Sequence, residues 1–454
     1  MTGHQDTPSS LFYQTRQRRP LVDEARGIYI WAADGKRYID GSSGAMVSNI
    51  GHGNEHVLAA MRAQMDKATF AYRLHFENEP AEKLARMTAA RMPPHLNKVF
   101  FVSGGSEAVE SAIKLARQYA VAIGASSRWK VISRYPSYHG STLGALSLTG
   151  MDNMCAPFAP MLREMPKIPA PTCYLDRDEL SMDERGLRYA EMLRAEILKQ
   201  GPETVLAFIM EPIGGASTGA LVAPDSYYRR VEEICREFDI LLILDEVMTG
   251  AGRTGSFLAA EHFNLNPDII TLSKGFAAGY APLGAMVAHQ RLVEPVLENG
   301  GFVHGYTYAG NPLACAAGVA VLEEIDRQSL TRNAESVGAR LKSELTGLMA
   351  RYPFIGDVRG KGLLLAFELV SDIETMAPLP KEMDAHIHLV EEAYSRGLIL
   401  YSRRTRGGVE GDHFLVCPPL ILTEPQIGEI MEILTDSLDA FADKHGLPHG
   451  NLSS

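Results

Sequence analysis

Between residues 99 and 288 the sequence gathers apolar residues into short uninterrupted runs: VFFV at 99–102, VI at 131–132, VLAFIM at 205–210, ILLIL at 240–244, IITL at 269–272 and LGAMVA at 283–288. A strand with one wet face alternates polar and apolar residues. A run without alternation is buried on both faces, which suits a parallel-rich sheet covered by helices on either side. The stretches between the runs are helical in texture. After the first run, Val109, Ile113, Ala116 and Ala120 recur at helical spacing, with Glu107 and Glu110 near the start, where the helix dipole favours acids. The expected fold is α/β, with a mostly parallel sheet flanked by helices.

The flanks read differently. Asp34-Gly35 between IYIWAA and KRYID marks a small hairpin within residues 27–50. Residues 54–91 are helical with an interruption at 70–79; 313–350 read as helix, 359–370 as strand, 381–396 as helix and 424–443 as a terminal helix. A chain of 454 residues exceeds the roughly 250 at which single cores divide. The expected division is a large domain over 76–325, with 1–75 and 326–454 together forming a smaller α+β domain.

Some classes of function are disfavoured. A net charge of -11 argues against a nucleic-acid surface. The first twenty residues lack the apolar core of a secretory signal, and no stretch approaches the roughly 20 apolar residues that span a bilayer. The expectation is a cytoplasmic protein. Cys155, Cys173, Cys235, Cys315 and Cys417 are too scattered for a disulfide framework or a zinc site, so no metal is expected.

Four motifs stand at strand ends, where ligands gather in open α/β sheets. Ser103-Gly104-Gly105-Ser106-Glu107 joins the first run to a helix start and offers backbone N–H groups and a hydroxyl to a phosphate, or is a plain glycine turn. It is neither GxGxxG nor a Walker sequence. Ser137-Tyr138-His139-Gly140 presents an aromatic to lie against a flat ligand, or a packing residue. Asp245-Glu246-Val247 follows the most apolar run. A carboxylate there needs a partner such as a protonated ring nitrogen, a metal, or solvent at the strand end. Lys274, in Thr271-Leu272-Ser273-Lys274-Gly275, is either an exposed lysine or, when deprotonated, a nucleophile for a carbonyl. Phosphate, flat ring, ring nitrogen and aldehyde occur together in pyridoxal 5'-phosphate.

Over nearly its whole length, from YIDGSSGAMVSNIGHG to PPLILTEPQI, the chain resembles the class III (omega-type) pyridoxal-phosphate aminotransferases of fold type I. SGGSEAVESAIKLAR, SYHGSTLGALSLTG, EPIGG, LILDEVMTGAGRTG, TLSKG and HGYTYAGNPLACAA carry the likeness. The resemblance implies a seven-stranded large-domain sheet, Lys274 as the lysine that holds the cofactor as a Schiff base and shuttles a proton, and Asp245 beneath the ring nitrogen. It places Val247 and Tyr138 on opposite ring faces, with the adjoining His139. Gly105 and Ser106 are then phosphate donors, and Glu211 an acid near the cofactor on the substrate side. Thr307 is similar to a threonine that reaches the phosphate of a neighbouring subunit. That implies a homodimer with shared sites, a dimer of dimers being left open.

Substrates are an amine and a keto acid. Relatives that use glutamate have an arginine three places before the paired prolines; here that position is Leu415, and GDH-x-x-x-x-PPL is more like the pyruvate-using members. For a substrate carboxylate the candidate partners are Arg403, Arg404 and Arg406, read as a mobile Gly-containing loop and similar to a switching arginine, together with Arg73. Met46, Tyr72 and Phe76 are candidate walls for an apolar amine tail. The expected reaction moves an amino group from an omega-amino acid, amine or diamine to pyruvate. The alternatives are a glutamate-linked aminotransferase, another reaction of the same cofactor such as an aminomutase, racemase or decarboxylase, and a non-catalytic binding protein on this fold.

Overall fold

In the computed structural model the described residues are 9–450. The expected absence of a secretory signal rests partly on residues 1–8, which lie outside them. Among the described residues no helix is long and apolar enough to cross a membrane, and no cluster of His, Cys, Asp and Glu suits a metal ion.

The central sheet has seven strands: β4 (Leu96–Val102), β5 (Lys130–Tyr135), β6 (Lys167–Pro169), β7 (Val205–Met210), β8 (Leu241–Asp245), β9 (Ile269–Leu272) and β10 (Gly284–His289). Their order is β4-β10-β9-β8-β7-β5-β6. The contiguous pairings from β9 to β6 are parallel, while β10 is antiparallel to both neighbours. All six residues of β7 and all five of β8 are buried, which is why these runs show no alternation. Sequence pattern does not separate β10 from its parallel neighbours, because burial on both faces gives either direction the same apolar run. Helices Gly105–Ala122, Met182–Gln200 and Asp225–Glu237 pack around the sheet.

At the N-terminal end, β1 (Val22–Arg26), β2 (Tyr29–Ala32) and β3 (Arg37–Ile39) form the hairpin expected around Asp34-Gly35, with one further strand. Near the C-terminus lie β11 (Ile355–Lys361), β12 (Leu364–Asp372), β13 (Ala377–Pro378), β14 (Tyr401–Arg406) and β15 (Glu410–Val416). The two ends meet: Ile39 N–H donates to Gly397 O at 2.7 Å and Cys417 N–H to Gly41 O at 2.7 Å.

Three local readings are corrected. Residues 359–370 are not one strand but the hairpin β11–β12, turned at Gly362 with φ +56°. The helical stretch 313–350 is two helices, Pro312–Arg327 and Leu330–Gly347, broken where Ser329 takes a left-handed conformation without glycine or proline to announce it. Residues 403–406 are not a loop. They belong to β14, paired with β15, and the glycines Gly407 and Gly408 make the turn that follows.

Candidate active site

The C-terminal ends of β5, β7, β8 and β9 and the turn after β4 converge on a cavity of about 290 Å3. It is lined by Gly105, Ser106, Tyr138, His139, Glu211, Asp245, Val247 and Lys274, which come from five separate stretches of chain, and also by Met46 and Arg403. A shallower groove of about 560 Å3 runs along helix Gly105–Ala122 and contains none of these residues. The chemistry-bearing groups therefore share the smaller cavity.

One wall is a helix start. The helix Gly105–Ala122 has Gly104 as its N-cap in extended conformation and no side-chain cap, so its first-turn N–H groups remain free to meet an anion. Glycine is required at 105, since a Cβ there would lie 2.7 Å from Val247 Cγ1. Ser106 Oγ accepts from Ser141 N–H at 3.0 Å, which fixes the neighbouring turn. Gly105→Val is expected to close this cradle and weaken retention of a phosphate-bearing ligand about tenfold or more without unfolding the chain. Titration of the ligand-free protein against near-unchanged circular dichroism checks it; undiminished affinity would remove the phosphate assignment.

The floor is acidic and fully committed. Asp245, at the end of β8 and 5% exposed, accepts from His139 Nδ1 at 2.8 Å, from Val247 N–H at 3.1 Å and from Thr271 Oγ at 3.3 Å. His139 Nε2 is buried without a hydrogen-bond partner and lies 3.9 Å from Glu211 Oε2. Glu211 pairs with Arg134 at 3.0 Å and accepts from Tyr138 N–H at 3.1 Å, which orients the turn carrying Tyr138. Burial would raise the Glu211 carboxyl, but His139 and Arg134 outweigh it and hold the group below its ordinary value. Glu211 is therefore an ionised anchor.

Lys274 stands one residue past β9, after Ser273, with φ +47°, a left-handed conformation that costs a lysine about 1–3 kcal/mol and persists only where the surroundings impose it. Burial pushes its amine below the ordinary lysine value; Asp245, Glu211 and Cys417 pull upward and Arg253 pushes further down. A depressed amine is free to act as nucleophile and base nearer neutrality.

The remaining sequence candidates disperse. Strand alternation separates the arginines: Arg403 reaches the cavity, resting 4.8 Å from the Tyr401 ring centroid and donating to Tyr401 Oη at 2.7 Å. Arg404 turns away to Asp384 at 2.7 Å, and Arg406 to Met376 O at 2.8 Å. Arg73 stacks 4.6 Å from the Phe100 ring centroid and donates to His304 O at 3.3 Å. Tyr72 packs edge-on against His75 at 5.1 Å, and Phe76 is exposed. Thr307 is exposed as well. None of Tyr72, Arg73, Phe76, Thr307, Arg404 and Arg406 lines the cavity of its own chain. The sequence did not point to Met151, Met154, Met248 and Tyr401, which do. Tyr401 opens β14, Met151 and Met154 follow the Ser137–Gly150 segment, and Met248 lies beside Val247 within a motif read for other residues.

The donor set of free helix-start amides, a buried carboxylate with a histidine behind it, and a depressed amine suits a ligand joining phosphate, cationic ring and carbonyl. Comparison with known proteins gives the same group. The aminotransferase class-III family model matches residues 13–438. An uncharacterized aminotransferase of Bacillus subtilis, YodT, is 40% identical over 93% of this chain and 95% of its own length. The putrescine–pyruvate aminotransferase of Pseudomonas aeruginosa is 32% identical over 93% and 91%, and the taurine–pyruvate aminotransferase of Bilophila wadsworthia 34% over 93% and 93%. The omega transaminase from Pseudomonas jessenii in complex with PMP superposes with a TM-score of 0.87 at 32% identity, covering 94% of each chain. Pyridoxal 5'-phosphate is the cofactor and the fold is type I. The chain belongs to the class-III aminotransferases.

Proposed function

We propose that this aminotransferase takes its amino group from a donor with a distal anion, an omega-amino acid or aminosulfonate, and delivers it to pyruvate. The observation that carries the reading is the charge inventory of the cavity wall. Asp245 is committed to His139 and Glu211 to Arg134. Arg403 leans on Tyr401 and pairs with no carboxylate among the described residues. An incoming carboxylate or sulfonate gains a charge-assisted partner there. The distal ammonium of a diamine meets no free acid.

Pyruvate is favoured because Leu415, where glutamate-using relatives have an arginine, is buried among Met46, Ile213 and Cys417. A second carboxylate would find no cation at that place. The taurine–pyruvate relative agrees on both counts; the putrescine–pyruvate relative agrees on the acceptor alone.

When bound, pyridoxal phosphate supplies a carbonyl carbon that takes up an amino group and a ring that takes up the electron pair left by proton removal. The chain does the rest. Gly105 and Ser106 would hold the phosphate, and Tyr138 and Val247 the ring. Asp245 would hold a proton on the ring nitrogen, and His139, donating to its carboxylate, keeps that charge in place. Lys274 Nζ would take the proton from the donor carbon and return it one position away. An exposed Thr307, outside the lining of its own cavity, fits a homodimer in which each chain completes its partner's phosphate site.

The test is a half-reaction screen with taurine, β-alanine, 4-aminobutyrate, putrescine and glutamate, followed by pyruvate or 2-oxoglutarate. Taurine or omega-amino acids should react and pyruvate should reverse them. Preference for putrescine, or reversal only by 2-oxoglutarate, would overturn the reading. Arg403→Leu should raise KM for the anionic donors about 10–100-fold and leave 1-phenylethylamine within a few-fold, the difference expected for one charge-assisted pair.

A further inference from the structure

Arg253, in the turn Thr249–Gly255 that follows Val247, is fully buried at 0% exposure. Its guanidinium donates to five neutral acceptors: Leu363 O at 3.1 Å, Cys417 O at 3.3 Å, Pro418 O at 2.6 Å, Ser43 Oγ at 3.1 Å and Asn49 Oδ1 at 2.7 Å. Nε has no partner. A buried cation whose hydrogen-bond partners are all neutral is costly, and the Cys417 thiol and Asp40 offset only part of the burial. Burial lowers its pKa to about 10, so it stays charged near neutrality.

The acceptors come from three regions: the segment 43–49, the β11–β12 turn and the exit of β15. The first of these reaches the reacting group. Asn49, gripped by Arg253, also donates from Nδ2 to Ala251 O at 2.9 Å. It lies so close to Gly275, the neighbour of Lys274, that a Cβ there would be 2.1 Å from Nδ2. The same segment puts Ala45 and Met46 on the cavity wall, and it holds Ser43 at φ +50° and Met46 at φ +58°, strained values that need an external hold.

We propose that Arg253 is a positioning residue for transamination, fixing the segment 43–49 against the turn that carries Lys274, with its positive charge bearing on the Lys274 amine. The titratable groups facing that amine are Asp245 from β8 and Glu211 after β7, with the Cys417 thiol after β15 once ionised, all favouring the ammonium, and Arg253 opposing it. With Arg253 neutralised, Lys274 holds its proton to higher pH. With Arg253 shortened but charged, the protonation is kept and the segment loosens.

The test compares Arg253→Met, of similar length without charge, with Arg253→Lys, charged without the planar fork. In protein freed of cofactor, competitive labelling with acetic anhydride, read on the peptide bearing Lys274, gives the pH at which the amine becomes reactive. That midpoint should rise in Arg253→Met and stay near wild type in Arg253→Lys. Both variants should lose about tenfold in kcat. An unmoved midpoint in Arg253→Met, or equal shifts in both, would reduce Arg253 to a structural staple and overturn the proposal. If Arg253→Met does not fold, Asn49→Ser, which cuts the link to Gly275, should lower kcat about tenfold with KM unchanged; full activity would sink the positioning role. The inference rests on Lys274 being the reacting amine. Undiminished turnover in Lys274→Ala would refute that assignment, whereas a stationary midpoint in Arg253→Met refutes this one alone.

Discussion

Lys274→Ala should reduce turnover by about four orders of magnitude while leaving the fold intact, because it removes both the covalent tether and the base from a site whose other groups are committed. The lysine is the cavity's amine with its pKa pushed down, while its neighbours Asp245 and Glu211 are already paired with His139 and Arg134. Among the described residues no other amine lines the wall, and His139 is turned to the Asp245 carboxylate. The phosphate cradle is untouched, so the variant should still retain cofactor but lack the visible absorbance of the lysine-bound form. Added methylamine should restore part of the rate. Stopped-flow spectroscopy with a competent donor makes the measurement; activity within tenfold of wild type would mean that another group moves the proton.

Asp245→Asn is expected to cost about a thousandfold in kcat/KM, equivalent to about 4 kcal/mol of transition-state stabilisation. The substitution is close to isosteric, and the amide oxygen can still accept from Val247 N–H and Thr271 Oγ. What disappears is the negative charge that would keep a ring nitrogen protonated. His139 Nδ1 also loses its carboxylate acceptor at 2.8 Å. Removing that charge should push the Lys274 amine further down, since Asp245 is the largest influence holding it up. Activity should therefore fall even though the amine is more readily neutral. Single-turnover rates across pH separate the two effects, and a loss smaller than tenfold would leave Asp245 with a structural role only.

The cofactor half of the site was legible in the sequence because each of its residues is tied to a strand end. Buried runs such as ILLIL and IITL declare where a strand stops, and the next residue stands at the carboxyl edge of the sheet. Glycines mark where backbone must come close, as Gly105 does against Val247. Local pattern and resemblance agreed there, and the cavity contains every one of those residues but Thr307.

The substrate half was not legible. Arg403, Arg404 and Arg406 look equivalent in the sequence, and it is the alternation of β14 that sends one to the cavity and the others to Asp384 and Met376. Met151, Met154, Met248 and Tyr401 have no spacing that sets them apart from core residues. Arg253 reads as one more polar residue in a glycine turn, yet it gathers segments more than 200 positions away in one direction and more than 160 in the other. The sequence by itself determined the fold class, the cofactor and the strand-end groups that line one cavity, because burial and backbone conformation leave marks on neighbouring residues. Only the tertiary structure decided which further side chains line the cavity and which buried cation grips the segment packed against Gly275. Those contacts join residues far apart in the chain, and their energy depends on geometry that no local pattern records.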